Sequence, residues 1–138
     1  MIKSKFNVIG VMSGTSLDGI DLVYATFNYN DVWHFEIIHS ETIEYDKEWH
    51  RILKNLVSYS SEGLQQIDKD YTIYLSNVIK NFIQKNHLKN LDAICSHGHT
   101  ALHQPNKKLT YQIGNLPNIA SLLKNKVVCD FRVQDVEF

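Results

Sequence analysis

Three apolar runs separated by short turns open the chain. Residues 6–12 form a β-branched run that ends in Ser-Gly-Thr-Ser, which is turn chemistry, and a second run begins at Ile20. Asn30 and Asp31 then provide a turn into a third run, residues 32–45. Strands joined by such short connections predict an antiparallel three-strand meander.

Two amphipathic helices are predicted next. Asp46 is expected to cap the first helix, whose apolar residues recur at helical spacing. These residues are Trp49, Ile52, Leu53, Leu56 and Val57. After Ser60 and Ser61, a longer helix carries one apolar stripe, which favours a helix laid across a sheet over a coiled coil. The stripe consists of Leu64, Ile67, Tyr71, Tyr74, Val78 and Phe82.

The second half of the chain alternates strands with a short helix. Residues 91–99 are apolar without alternation, which predicts a buried strand, and residues 109–113 predict a further strand after a turn. Residues 115–124 predict a short helix with Pro117 in its first turn, and residues 126–131 predict a last short strand. A meander followed by helix–strand units predicts an α/β protein with a mixed sheet and helices packed on it. This is the element order of the ribonuclease H-like fold.

Composition and charge narrow the functional class. The 138 residues suffice for one domain, 1–138, and are too few for two domains of common size. With 14 basic and 15 acidic residues, the net charge of -1 does not support nucleic-acid binding. No run approaches the roughly 20 apolar residues of a membrane helix. Cys95 and Cys129 lie in apolar runs, as expected of buried reduced thiols, so the cytoplasm is the expected compartment.

The strongest local signal is the turn in Gly-Val-Met-Ser-Gly-Thr-Ser-Leu-Asp-Gly-Ile-Asp, residues 10–21. Its glycines let backbone N–H groups approach an anion closely, and its hydroxyl groups add donors. A carboxylate beside a phosphate requires a cation between them, so Asp18 indicates Mg²⁺ held through water. The alternative is a hairpin turn built of ordinary turn residues. The turn lacks the lysine of a P-loop and the spacing of a Rossmann fingerprint.

A second block is Ser-His-Gly-His-Thr-Ala-Leu-His-Gln-Pro, residues 96–105. Taken alone, His97 and His99 would share one strand face and His103 could fold back toward them, as in some zinc sites. From His97 to Val128 the sequence contains no Cys, Asp or Glu to complete such a site. The zinc interpretation is therefore the weaker one for this block.

A third block, Asp-Phe-Arg-Val-Gln-Asp at residues 130–135, follows the last predicted strand and comes after Gln-Ile-Gly at 112–114. Ligands usually bind at the carboxyl ends of strands in open α/β sheets. Arg132 has the forked donors that hold a carboxylate. The alternative is a surface ion pair between Arg132 and one of the aspartates.

These three blocks, in this order, resemble the anhydro-N-acetylmuramic acid kinase family of the actin/hexokinase/Hsp70 superfamily. The family patterns are G-x-M-S-G-T-S-x-D-G-x-D, S-H-G-Q-T-x-x-H-x-P and D-F-R-x-x-D, and the resemblance spans the whole chain. His99 stands where the family usually has Gln, and both can donate one hydrogen bond. The resemblance implies a first phosphate loop for ATP and Mg²⁺, formed by Ser13, Gly14, Thr15, Ser16, Asp18, Gly19 and Asp21, with Asp18 toward the metal. It also implies an amino-sugar site that includes His97, Gly98, Thr100, Arg132 and Asp135, with Arg132 toward a carboxylate such as the lactyl group.

The resemblance also implies a reaction. A complete relative uses ATP and water to open 1,6-anhydro-N-acetylmuramic acid and to place a phosphoryl group on its 6-oxygen, in peptidoglycan recycling. Family members continue with a second phosphate loop, an adenosine site and a general-base aspartate. We therefore expect this chain to be a truncated N-terminal domain without the second lobe, to bind ATP weakly and to be inactive alone.

Two other classes stay open on the sequence. One is an Hsp70-like ATP-binding chaperone or regulatory module, since the superfamily shares the phosphate loop. The other is a nuclease on the ribonuclease H-like fold that would use Asp18, Asp92 and Asp130 with Mg²⁺, although the balanced charge and the Gly/Ser/Thr turn argue against it. The oligomeric state is open, a homodimer included.

Overall fold

The computed structural model describes residues 3–14, 17–104 and 109–131, with the backbone alone at 102–104, 109 and 110. The strands among these residues are β1 (Lys5–Ser13), β2 (Ile20–Asn30), β3 (Val32–Ile43), β4 (Ala93–Gln104), β5 (Leu109–Ile113) and β6 (Val127–Val128). The helices are α1 (Lys47–Lys54), α2 (Ser61–Lys85) and α3 (Asn118–Leu123), and a single 3-10 turn lies at Leu56–Ser58. This order of elements is the predicted one.

The first three strands form the predicted antiparallel meander. β1 pairs with β2 from Lys5 opposite Asn28 to Ser13 opposite Ile20, and β2 pairs with β3 in the same sense. Asp31, in the turn between β2 and β3, has φ 65°, a left-handed conformation that Asp tolerates better than most residues. The turn therefore returns the chain at once, and β3 becomes the edge strand beside β2.

A parallel strand converts the meander into a mixed sheet. β4 runs parallel to β1, and the strand order across the sheet is β3-β2-β1-β4-β5. β5 folds back antiparallel onto the second half of β4, while β6 runs parallel to its first half at Ile94 and Cys95. The predicted α/β class, with a ribonuclease H-like mixed sheet, is confirmed, and it is consistent with an actin-like ATPase fold.

Side-chain caps begin α1 and α2: Asp46, which the sequence predicted as a cap, and Ser60. The Asp46 carboxylate accepts a hydrogen bond from the N–H of Trp49 at 2.8 Å, which starts α1. The Ser60 hydroxyl accepts one from the N–H of Gly63 at 3.1 Å, which starts α2. Each cap satisfies an N–H that has no partner inside its helix, a contribution of about 1 kcal/mol.

Helix α2 packs its apolar stripe on one face of the sheet. Tyr71 and Phe82 are buried against inward side chains of the strands, among them Ile9, Leu22 and Ile94. Burying a large apolar side chain of this kind contributes roughly 1.5–3 kcal/mol. The predicted helix-on-sheet arrangement is confirmed. Within the described ranges, no helix combines the length and the apolar character needed to cross a membrane.

Three predicted boundaries are wrong. α1 ends before Val57, which lies in the 3-10 turn and is 82% exposed instead of lying on a helical stripe. α3 begins at Asn118, three residues later than predicted, and Pro117 (φ -56°) is its N-cap residue. β6 retains only two of the residues 126–131, because Asp130 adopts a left-handed φ of 64° that ends the extended conformation.

The cysteines are half-buried free thiols, although the sequence predicted buried ones. Ile94 and Ser96 on either side of Cys95 are fully buried on the face that α2 covers, so Cys95 points to the other face. Among the described residues, α1, α2 and α3 all contribute to the core cluster on the α2 side. Partial burial raises the pKa of both Cys95 and Cys129.

Candidate functional site

The carboxyl ends of β1 and β6 lie at one edge of the sheet, on either side of β4. They share this edge because both strands run parallel to β4. Open α/β sheets usually bind ligands at such an edge. Ser13 at the end of β1 pairs with His99 of β4. The fold therefore brings together the turn after β1, the second block and the start of the third block.

A β-bulge in the middle of β4 decides which way its histidines face. Ser96 and His99 of β4 are three positions apart, but they pair with Val11 and Ser13 of β1, which are only two positions apart. β4 therefore contains one extra residue at this point. The extra residue places His99 on the core-facing side with Ser96, and His99 is only 2% exposed. The expectation that His97 and His99 share one strand face is therefore wrong, because the bulge shifts the alternation.

Four polar groups form a continuous hydrogen-bonded chain behind this edge. The Ser13 Oγ lies 2.7 Å from His99 Nδ1 and 2.5 Å from the Tyr45 hydroxyl, which lies 2.6 Å from the Tyr71 hydroxyl. Ser13, Tyr71 and His99 are each at most 4% exposed. We call Ser13, Tyr45, Tyr71 and His99 the buried polar chain. It links the end of β1 to β4 and to helix α2.

Burial controls the protonation of the buried polar chain. Desolvation, with a smaller effect of nearby His97, lowers the pKa of His99 to about 4, so its imidazole is neutral at pH 7. Desolvation also raises the pKa of Tyr45 and raises that of Tyr71 well above its usual value. The buried polar chain therefore carries no net charge near neutral pH, and its members interact through hydrogen bonds alone.

The turn between β1 and β2 is the predicted phosphate loop. Thr15 and Ser16 lie outside the described residues. The N–H of Leu17 donates to the carbonyl of Gly14 at 3.4 Å, and Asp18 is exposed. Because the Ser13 hydroxyl is engaged in the buried polar chain, the predicted phosphate contacts that remain are the backbone amides of the turn and the hydroxyls of Thr15 and Ser16.

Gly19 and Asp21 have structural partners of their own. Gly19 has φ 150°, and a Cβ atom there would lie 2.3 Å from the carbonyl oxygen of Ile43, so the pairing of β2 with β3 requires glycine. Asp21 is exposed and accepts a hydrogen bond from the Thr42 hydroxyl at 2.5 Å. Both features stabilise the base of the hairpin, and the part of these residues in phosphate binding stays a prediction.

The acidic and histidine side chains of the candidate site favour a metal ion that keeps most of its water ligands over one that is coordinated by protein side chains alone. Among the described residues, no group of three His, Cys, Asp or Glu side chains could hold a metal ion. The zinc interpretation of the second block gains no support, and the side chain of His103 lies outside the described residues. Mg²⁺ keeps several waters and takes one or two carboxylates together with phosphate oxygens. The exposed carboxylate of Asp18 fits that mode of binding.

The geometry rules out the nuclease triad. Asp92 precedes β4 at its amino end, where it bonds to the Lys3 ammonium and accepts from the N–H of Asn7 at 2.7 Å. The Lys3 hydrogen bond holds the pKa of Asp92 below its usual value. Asp18 and Asp130 follow strand ends at the opposite edge. The three carboxylates therefore do not form one metal site.

Asn115 joins the second and third blocks, and sequence reasoning missed it. Its Nδ2 donates to the carbonyl of His97 at 3.2 Å and to the carboxylate of Asp130 at 3.3 Å. Its Oδ1 is buried and has no hydrogen-bond partner among the described residues. The available signal was its place directly after Gln-Ile-Gly, a segment that the sequence had already singled out.

The predicted sugar-site residues are only partly described. His97 and Thr100 are half-buried beside the bulge. Gly98 is buried with φ 73°, and a Cβ atom there would lie 2.5 Å from the carbonyl oxygen of Ile113. Two further residues of the set lie outside the described residues: Arg132 and Asp135. Their contact with substrate stays a prediction.

Asp68 of α2 is a second residue that sequence reasoning missed. It is 6% exposed and accepts hydrogen bonds from the N–H of Gly114 at 2.7 Å, the Thr72 hydroxyl at 3.4 Å and the Tyr111 hydroxyl at 3.5 Å. Desolvation raises the pKa of Asp68, and these hydrogen bonds oppose the rise. An acidic residue beside Ile67 in the apolar stripe was the signal that could have found it.

Comparison with known proteins gives one consistent result. Residues 6–138 match the family model of anhydro-N-acetylmuramic acid kinase. The anhydro-N-acetylmuramic acid kinase of Xylella fastidiosa is 34% identical over 136 residues, covering 93% of this chain and 36% of that protein. Those of Paramagnetospirillum magneticum and Mannheimia succiniciproducens are 32% and 35% identical, each over 93% of this chain and over 36% and 35% of their own length. The chain thus spans about a third of the length of these relatives.

Proposed function

Because the chain belongs to the anhydro-N-acetylmuramic acid kinase family over residues 6–138, we propose that the complete protein is an ATP-dependent kinase acting on 1,6-anhydro-N-acetylmuramic acid. Water adds at the anomeric carbon, the bond from that carbon to O6 breaks, and O6 receives the γ-phosphoryl group of ATP. The second proton of the water leaves to a general base. The products are N-acetylmuramic acid 6-phosphate and ADP.

The observation that carries the proposal is the approach of the end of β1 to the middle of β4. Ser13, which leads into the phosphate loop, pairs with His99, which lies inside the sugar-site block. A hydrogen bond between their side chains fixes this approach. Phosphoryl transfer depends mainly on positioning and charge neutralisation, so donor and acceptor sites must adjoin. The relatives reported above are all named kinases, which favours this function over an Hsp70-like module.

Each part of this chain has a proposed task. The backbone amides of the turn from Gly14 to Gly19 bind the nucleotide phosphates, and Asp18 holds Mg²⁺ through water. His97, Gly98 and Thr100 form one wall of the sugar site. ATP supplies the phosphoryl group when bound. A chain with a third of the family length binds these ligands weakly and does not turn them over.

The test is a ¹⁵N chemical-shift titration of the 138-residue chain with Mg²⁺ and a non-hydrolysable ATP analogue. We expect the largest shifts in the turn after β1 and in residues 96–100. Asp18→Asn should weaken binding about tenfold in Mg²⁺ and little in its absence, because only the metal-dependent contribution is lost.

Asp31→Asn is the matched control for this variant, since Asp31 occupies an exposed turn at the other end of β2 and should leave binding unchanged. Shifts confined to another face of the sheet would overturn the proposed phosphate loop. Equal effects of the two substitutions would remove the proposed role of Asp18.

A further inference from the structure

An unusual buried carboxylate lies beside the predicted sugar site. Asp68 is 6% exposed in the middle of α2, and none of the ion pairs formed by the described residues includes it. Burying a carboxylate is costly unless hydrogen bonds compensate. The shortest of its bonds accepts the N–H of Gly114 at 2.7 Å. Asp68 therefore fixes a loop after β5, which an apolar residue at this position would not do.

The loop that Asp68 holds leaves little freedom to the backbone. Gly114 has φ 92°, a backbone conformation that residues with a side chain rarely adopt. A Cβ atom at this position would lie 2.8 Å from the ring of Tyr71. The anchored amide and the tight packing fix the direction in which the chain leaves β5. The next residue, Asn115, is therefore placed accurately.

Asn115 uses this position to connect two strand ends. Its Nδ2 donates to the carbonyl of His97, at the end of the regular part of β4, and to the carboxylate of Asp130, just after β6. A Cβ atom on Gly98 would lie 2.9 Å from the Asn115 Oδ1, so the amide also packs tightly against the bulge. One side chain thus holds the second and third blocks together.

We propose that Asp68 and Asn115 are positioning residues that together form a clamp, which fixes the start of the Asp130 block against the His97–Thr100 wall. This inference rests on the proposed function, since it assigns the clamp to the sugar side of the site. The phosphate loop lies on the β1 side and does not contact the clamp among the described residues. The clamp therefore controls sugar binding and leaves nucleotide binding unchanged.

Asn115→Asp tests the clamp in the 138-residue chain. The change keeps the side-chain shape, removes both N–H donors and puts a second carboxylate beside Asp130. We expect the backbone amides of residues 96–100 and 126–131 to exchange hydrogen for deuterium about tenfold faster than in the wild type. The reason is that the Asn115 hydrogen bonds that connect the two segments are lost. Unchanged exchange in either segment would overturn the clamp, whether or not the chain binds sugar.

Two further variants separate the clamp from a general loss of stability. Asn118→Asp makes the same chemical change at an exposed position three residues away, and exchange in both segments should stay at the wild-type rate. The double variant Asn115→Asp with Asp130→Asn swaps the two side chains and restores one N–H donor between positions 115 and 130. It should recover most of the protection of both segments from hydrogen exchange. Asn tolerates the left-handed φ of 64° at position 130.

Titration with 1,6-anhydro-N-acetylmuramic acid links the clamp to binding. Asn115→Asp should weaken sugar binding about tenfold and leave the affinity for the Mg²⁺-bound ATP analogue within twofold of wild type. Loss of both affinities together would mean that Asn115 acts only through stability and would overturn the positioning role. A wild-type chain that binds no sugar would refute the sugar wall of the proposed function, while the exchange experiment would still decide the clamp.

Discussion

Two substitutions in the buried polar chain each delete one hydroxyl group, yet they should differ in cost. Ser13→Ala removes a group with two partners, His99 Nδ1 and the Tyr45 hydroxyl. Tyr71→Phe removes a hydroxyl that lies 2.6 Å from the Tyr45 hydroxyl, and Tyr45 keeps its bond to Ser13. The loss of free energy of unfolding therefore depends on where the deleted hydroxyl lies in the buried polar chain, and not only on the loss of one hydroxyl.

The magnitudes follow from burial. Ser13 is 4% exposed and His99 is 2% exposed, so Ser13→Ala leaves the imidazole Nδ1 buried without its partner. An orphaned buried group costs about 1–3 kcal/mol and each of the two lost bonds about 1 kcal/mol, which gives about 3–5 kcal/mol in total. Tyr71→Phe keeps the ring and orphans no group, so its cost should be about 1 kcal/mol.

Equilibrium urea unfolding at pH 7.5, followed by far-UV circular dichroism, measures both free energies of unfolding. Thr42→Val is the control, because it deletes a hydroxyl bonded to the exposed Asp21 carboxylate and should change stability by about 0.5 kcal/mol or less. A Tyr71→Phe cost equal to or above that of Ser13→Ala would refute the reasoning. So would a Ser13→Ala cost no larger than that of Thr42→Val.

The remaining predictions concern pH and the bulge. Because the pKa of His99 falls from 6.5 to about 4 on folding, the unfolded chain binds more protons between these values. The free energy of unfolding should therefore rise by about 3 kcal/mol from pH 4 to pH 6.5 on account of His99, and His99→Gln should flatten this rise in urea titrations. An identical slope in both proteins would contradict the prediction. Gly98→Ala should lower the free energy of unfolding by more than about 2 kcal/mol, since the backbone carbonyl of Ile113 stands 2.5 Å from the new Cβ. A thermal midpoint unchanged from wild type would show that the bulge relaxes.

Much of the fold could be predicted because local signals agreed with it. Apolar runs and turn residues placed the meander, and Asp46 and Ser60 placed the helix starts. The apolar stripe of α2 identified the side that packs on the sheet. The errors fell where a single backbone conformation overrides pattern, as at Asp130, whose left-handed φ ends β6 early.

The candidate site was predicted less completely because its parts are distant in sequence. Periodicity treats β4 as a regular strand and puts His97 and His99 on one face. The bulge, which the pairing of β4 with β1 contains, reverses this. The contacts of Asp68 and Asn115 join residues that are 46 and 15 positions apart, and such pairs leave no local pattern.

The sequence by itself determined the class of fold, the order of its elements and the family to which the chain belongs. These follow from short-range chemistry: turn residues, caps, apolar spacing and three motif blocks. Only the tertiary structure decided which polar groups meet. Parallel pairing of β1 with β4 brings Ser13 to His99, and helix α2 brings Tyr71 and Asp68 to the same edge. Hydrogen bonds of this kind depend on distances of about 3 Å between remote residues, and only the packed sheet and helix set those distances.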